Sequence, residues 1–258
     1  MRRVVFTQKG GVGKSSIACN LAAIAANRGY RTLVVDLDPQ ANATEYLLQR
    51  KPSELSPTIE DFFEQTLALN FLSKKGPMDY VHRSRFPNLS VIPAGPGLDA
   101  LVPRLEGRQK IYKLRDALKE LDRYFDRIYI DTAPALNFYT RAALIAADRC
   151  LIPFDCDEFA RQALYSVLGA VAEIREDHNA GLSLEGIVVN QFTPSAKLPK
   201  QMMDDLVREG LPVLPWTLGQ SVKMRESHQA RDPLITYAPG HKLTNQFEAL
   251  YDGLENRR

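Results

Sequence analysis

The run Lys9-Gly10-Gly11-Val12-Gly13-Lys14-Ser15 concentrates glycines, two cations and a hydroxyl in one short stretch, with Ser16 directly after it. Glycines lack a Cβ and tolerate unusual backbone angles, so several backbone N–H groups can converge on one polyanion. If a helix opens near Lys14, its unpaired N–H groups and positive dipole end point at the same anion. Lys14 can then reach terminal phosphates, and the Ser15 hydroxyl can ligate a magnesium ion. Gly10, Gly11, Val12, Gly13, Lys14, Ser15 and Ser16 are accordingly the candidate nucleotide contacts.

Two acidic segments complete the chemistry. Thr32-Leu33-Val34-Val35-Asp36-Leu37-Asp38 is an apolar run ending in two carboxylates, and Arg127-Ile128-Tyr129-Ile130-Asp131 repeats that design. Asp131 can hold water on a magnesium ion, with Asp36 supporting the metal shell. Asp38 can orient or activate a water attacking a terminal phosphate. An Asp that ends a strand is ordinarily a turn residue or helix cap. Three of them in this order after a glycine-rich loop make the functional reading the stronger one.

These groups meet only if strands carry them to one edge. Apolar runs predict strands at Val4–Thr7, Thr32–Asp36, Leu89–Ile92, Ile128–Asp131, Cys150–Phe154 and Gly186–Asn190. Helical patterning covers Lys14–Asn27, Ile111–Arg123, Ala160–Glu176, Leu198–Glu209 and Leu243–Leu254, while Lys51 to Pro87 reads ambiguously. This alternation predicts an α/β fold, a mostly parallel sheet with helices on both faces, in a single domain spanning residues 1–258. Carboxylates at the carboxyl ends of such strands fall in the crevice where open α/β sheets bind ligands.

The loop lacks the first glycine of the strict phosphate-loop pattern, since Gln8 stands there, and instead opens with Lys9. With K-G-G-V-G-K-S, V-D-L-D-P-Q and Y-I-D-T-A-P together, the chain resembles the ParA/MinD group of deviant phosphate-loop ATPases, and within it the small ParA partition proteins. Looser matches follow in order: Leu151 to Ala160, Val188-Val189-Asn190, and Val222 to Glu226 with Pro233 to Tyr237. The resemblance implies ATP and Mg2+ as cofactors and a homodimer closed around ATP. It also implies non-specific DNA as the surface bound, with release by a ParB-like or other partner that stimulates hydrolysis. It makes Lys9 a residue that reaches across to the other protomer's phosphates, Lys14 and Asp38 catalytic, and Asn190 a neighbour of adenine. It places Lys223 where the group carries a basic DNA-contacting residue; Arg225 joins it on charge alone. Where the family often has two prolines this chain has Ala133-Pro134, a departure that leaves the phosphate and metal groups intact but puts the cargo in doubt.

Composition bounds the alternatives. A net charge of +2 over 258 residues is no nucleic-acid coat, so DNA contact must come from local patches. Three cysteines give no even disulfide framework and point to a reducing, cytoplasmic setting. Cys150 and Cys156 lack the C-x-x-C pairing of a shared metal cluster, the four histidines are scattered, and no N-K-x-D guanine-reading motif occurs. A MinD-like membrane-bound reading needs a basic amphipathic tail, whereas Phe247 to Arg258 carries acids and Gly253 and suits packing onto the domain. Positioning a protein cluster rather than DNA cargo is compatible with the same ATP switch.

Overall fold

Short runs of Val, Ile and Leu form the strands, and the helices between them cross over the sheet. The computed structural model describes residues 1–68, 75–156 and 160–256. In order, β1 (Arg2–Val5), α1 (Lys14–Asn27), β2 (Thr32–Asp36), α2 (Asn42–Leu48), α3 (Ile59–Leu67), β3 (His82–Arg83) and β4 (Leu89–Ile92) form the first half. Next come α4 (Leu98–Gly107), α5 (Lys113–Leu121), β5 (Arg127–Asp131), α6 (Phe138–Ala146), β6 (Arg149–Asp155), α7 (Ala160–Asp177) and β7 (Ser183–Asn190). The chain then adds α8 (Lys197–Arg208), α9 (Val222–Ala230), α10 (Leu234–Tyr237) and α11 (Lys242–Asn256).

The strands make a seven-stranded sheet in the order β3-β4-β2-β5-β1-β6-β7. All pairs are parallel except β3 with β4. Alternate side chains feed two cores, as the period of a strand requires. Val4, Leu33, Val35 and Ile130 face a core shared with α3 to α7, and Val5, Val34 and Tyr129 face one shared with α1, α2 and α11. Helices therefore cover both faces, as expected.

Helix α1 is buried around nearly its whole circumference, from Ile17 to Ala26. Its alanines let sheet and helices approach closely, and an all-round apolar helix has no solvent face. The element that carries the phosphate loop is thus fixed. At the other end, α11 buries Phe247, Leu250 and Leu254, each contributing roughly 1.5–3 kcal/mol to docking. Gly253 serves that contact: a Cβ there would lie 2.2 Å from the Trp216 ring. The apolar face of the tail is used inside the protein.

Several boundaries differ from expectation. Strand β1 starts at Arg2 rather than Val4, its Arg3 being buried with an acidic partner, and ends at Val5 rather than Thr7. The ambiguous stretch after Lys51 contains α3, capped by the Thr58 hydroxyl and Asp61, and the short edge strand β3. Residues 157–159 of the Leu151 to Ala160 match, and 257–258 of the tail, lie outside the described residues.

Candidate functional site

Strand register assembles the site. Asp131 pairs with Val5 on one side and Asp36 on the other, so the loop after β1 and both acidic strand ends share one edge. The Thr132 hydroxyl donates to the Val5 carbonyl at 3.0 Å, tying the β5 end to the start of the loop. Gly13 holds φ +85°, and a Cβ there would meet the Asn190 amide nitrogen at 2.5 Å. Only glycine satisfies both the left-handed angle and that approach. Asn190 donates to the Val12 carbonyl at 2.8 Å and Gln191 to the Gly11 carbonyl at 2.9 Å, so the end of β7 braces the loop.

The three aspartates differ in how they are used. Asp36 is fully committed: Oδ1 accepts from the Asp38 N–H at 3.1 Å, and Oδ2 accepts from the Thr44 N–H at 2.8 Å and hydroxyl at 2.7 Å. The Thr44 oxygen in turn accepts from the Ala94 N–H at 2.9 Å. Asp36 is spent on fixing the Asp38 turn and α2. Asp38 is nearly buried, and its Oδ1 caps the Gln40 N–H at 3.0 Å. Asp131 accepts from the Thr132 N–H through Oδ1, whereas its buried Oδ2 has no hydrogen-bond partner. An orphaned carboxylate oxygen of this kind is costly unless something else supplies positive charge.

Burial pushes the Asp36 carboxyl up to about 6, the neighbouring Asp38 charge adds to this, and the hydrogen bonds from Thr44 and Asp38 oppose it. Burial raises Asp131 well above the usual carboxylate range; Asp36 reinforces the shift, while the nearby Ser15 hydroxyl and Lys14 oppose it. Lys14 is itself lowered by burial and held up by Asp131 and Asp38. Its ammonium donates to the Lys9 carbonyl at 3.2 Å, folding across its own loop. One lysine thus faces two carboxylates, Asp131 and Asp38. Lys9 Nζ stands 3.8 Å from Asp155 of the same chain.

Two cavities meet at the loop. One of about 500 Å³ is lined by Gly10, Lys14, Ser15 and Asp38 on the loop side, and by Glu45, Tyr46 and Arg231 opposite. The other, about 560 Å³, runs from Asn190 to Gly219, Ser221 and Arg225. Gly11, Gly13, Ser16 and His228 line both. The residues from α2 and α9 carry no periodic sequence signal: α9 buries only Ser227, so no apolar stripe announces it. On α9, Lys223 Nζ pairs with Glu226 at 2.6 Å, and Arg225 lies exposed at the cavity rim.

The donor set fits ATP with a magnesium ion. Among the described residues no three His, Cys, Asp or Glu side chains form a ready-made metal cage. Mg2+ ordinarily takes one or two protein oxygens and completes its shell with phosphates and water. Ser15 beside the unpaired Asp131 oxygen is such a partial shell, next to a loop shaped for phosphates.

A family model described as an AAA domain matches residues 3–184. The chromosome partitioning protein ParA of Myxococcus xanthus (strain DK1622) is 34% identical over 249 residues, which cover 95% of this chain and 84% of that protein. The cell division protein PomZ of the same organism is 31% identical over 260 residues, covering 98% of this chain and 77% of that protein. In fold, the chain matches cobyrinic acid a,c-diamide synthase from Mycobacterium smegmatis, solved with a bound ATP analog and magnesium. The TM-score is 0.84 at 23% identity, over 99% of this chain and 94% of that one.

Proposed function

The chain belongs to the ParA family of ATPases, and we propose that it acts as a DNA-attached partition or positioning switch that dimerises around ATP. The observation that carries this reading is the convergence of the phosphate loop with Asp36, Asp38 and Asp131 at one edge of the sheet, where Asp38 lines the cleft and the other two lie buried beneath it. Its relatives named for chromosome partitioning and cell division support the cellular role.

In this reading residues 1–258 work as one cytoplasmic domain. Backbone N–H groups from Gly10 to Ser16 hold the phosphates, and Lys14 leaves the Lys9 carbonyl to neutralise them. Ser15 and Asp131 hold Mg2+, which when bound offsets charge on the phosphates. Asp38, fixed by Asp36 and the Gln40 N–H, orients the attacking water. Asn190 braces the loop and faces the base. Lys9 exchanges Asp155 for the nucleotide of a second protomer, closing the dimer. Lys223 and Arg225 on α9 contact DNA, with Lys223 giving up Glu226 for a phosphate. A ParB-like or other partner then stimulates hydrolysis and release. The packing of α11 speaks against a membrane anchor there, and among the described residues no helix is long and apolar enough to cross a membrane.

The test is binding to non-specific duplex DNA with ATP, ADP or no nucleotide across a salt series, run beside Asp38→Ala. Binding that requires ATP and weakens steeply with salt is expected. Asp38→Ala should keep ATP binding and lose roughly 100-fold or more in turnover, leaving the DNA-bound state long-lived. Absence of DNA binding in every nucleotide state, with hydrolysis intact, would shift the attachment surface to a protein cluster or membrane.

A further inference from the structure

His228 belongs to α9, yet its imidazole reaches the first turn of α1, where Nε2 stands 3.0 Å from the Ser16 hydroxyl. The residue is exposed in part, and it lines the seam between the two cavities. Lys14, Ser15 and Asp38 line only the first cavity; Asn190, Gly219 and Ser221 line only the second. A nucleotide with its phosphates on the loop and its base beside Asn190 therefore spans the seam that Gly11, Gly13, Ser16 and His228 line, and passes over the Ser16–His228 contact. The atoms at that crossing are the sugar and the phosphate attached to it.

The ring is also held in place. The Tyr46 ring meets it edge-on, with centroids 4.7 Å apart at 62°. The Tyr46 hydroxyl bonds the hydroxyl of buried Ser227, which donates to the Asp232 carbonyl at 2.9 Å. Arg231, one turn on, is tied to Glu45 at 2.9 Å and to the Gln49 carbonyl at 3.2 Å. Helix α9 is thereby clamped to α2 from two sides of His228. An imidazole that lines two cavities belongs to neither apolar core. One fixed by its neighbours over a ligand path is suited to donate a hydrogen bond to the ligand.

We propose that His228 is a nucleotide-contacting residue, exchanging the Ser16 hydroxyl for an oxygen of the ribose or its attached phosphate when ATP or ADP binds. The proposal rests on the ATP-binding reading above. It joins the phosphate loop directly to the helix that carries Lys223 and Arg225.

The test titrates the full chain with a fluorescent ATP analog and Mg2+, then displaces it with ADP. Wild type is compared with Lys14→Ala and with His228→Ala, His228→Phe and His228→Gln. Melting without nucleotide is recorded for each. His228→Ala and His228→Phe should bind about tenfold more weakly, and His228→Gln, which keeps a donor, should recover most of that loss. Unchanged affinity in the Ala and Phe variants overturns the proposal. So does a Gln variant as weak as Phe, even if the Ala variant melts early. Wild type that does not bind, or Lys14→Ala that binds as well as wild type, would instead overturn the ATP-binding reading itself.

Discussion

Two clusters of charge are buried at opposite ends of the same strands. At the amino ends, Arg3 is wholly buried and forms a two-pronged pair with Glu185, at 2.6 and 2.7 Å. Arg149 bonds the same glutamate at 2.9 Å, and Glu255 from α11 bridges Arg3 and Arg127. Burial alone would lower the Arg3 pKa, but Tyr129 and the two glutamates outweigh it and raise it. At the carboxyl ends, Lys14 faces Asp38 and Asp131, with Asp36 buried behind them, and the buried Oδ2 of Asp131 has no hydrogen-bond partner. The first cluster is balanced by its own side chains. The second sets three carboxylates against one lysine among the described residues, and only part of that charge is met by hydrogen bonds. A buried charge survives when the fold supplies its partner; where the fold withholds one, the balance is left to a ligand. The contrast separates a structural clasp from a site.

The sharpest way to break the contrast is to unbalance the clasp. Glu185→Ala leaves Arg3 and Arg149 without their shared partner and should cost about 3–5 kcal/mol in chemical denaturation. Nucleotide affinity of the molecules that remain folded should stay near wild type. A loss below about 1 kcal/mol would mean that the arginines find water or other partners, and the clasp would lose its meaning. Next in size, Lys14→Ala should weaken ATP binding at least ~100-fold, equivalent to about 2.7 kcal/mol, and should also lower the unfolding free energy, since Asp38 and Asp131 lose their cation. Equal affinity would remove the phosphate role of the loop.

The smallest effect runs opposite to ordinary expectation. Asp131→Asn removes part of the acidic excess and should stabilise the nucleotide-free protein by about 1 kcal/mol, raising Tm by roughly 2–4 °C, while weakening Mg2+-dependent binding. The advantage has a pH dependence. Asp36, raised to about 6 from an ordinary 3.8, binds its proton more tightly when folded. Its contribution therefore favours the fold in acid and is lost as pH rises from about 4 to about 6. Asp131 is raised too, in the same sense. The gain from Asp131→Asn should accordingly grow across that range in melts at stepped pH. A variant that is less stable than wild type at neutral pH would show that the site is already balanced within the chain.

The nucleotide loop, the order of strand and helix, and the acidic strand ends were legible because each is encoded within about ten consecutive residues. Glycine spacing, an apolar run and a terminal carboxylate all act locally. Helix α1 was predicted at Lys14–Asn27, where it lies. Helix α9 was not, because a polar helix without an apolar stripe leaves no period to detect. Arg3 falls in a run that reads as a buried strand, but nothing in the sequence points to its partner Glu185, 182 positions away. The same holds for Asn190 against Val12 and for His228 over Ser16. By itself, then, the sequence determined that this is an α/β ATPase of the ParA family and singled out the glycine-rich loop and the three carboxylates proposed to serve it. Only the tertiary structure decided that Asp36 is consumed by Thr44 while Asp131 keeps an open oxygen, and that α9 roofs the cleft. Residue types are local facts, whereas the pairing of buried charges and the walls of a cleft depend on contacts between segments that only folding brings together.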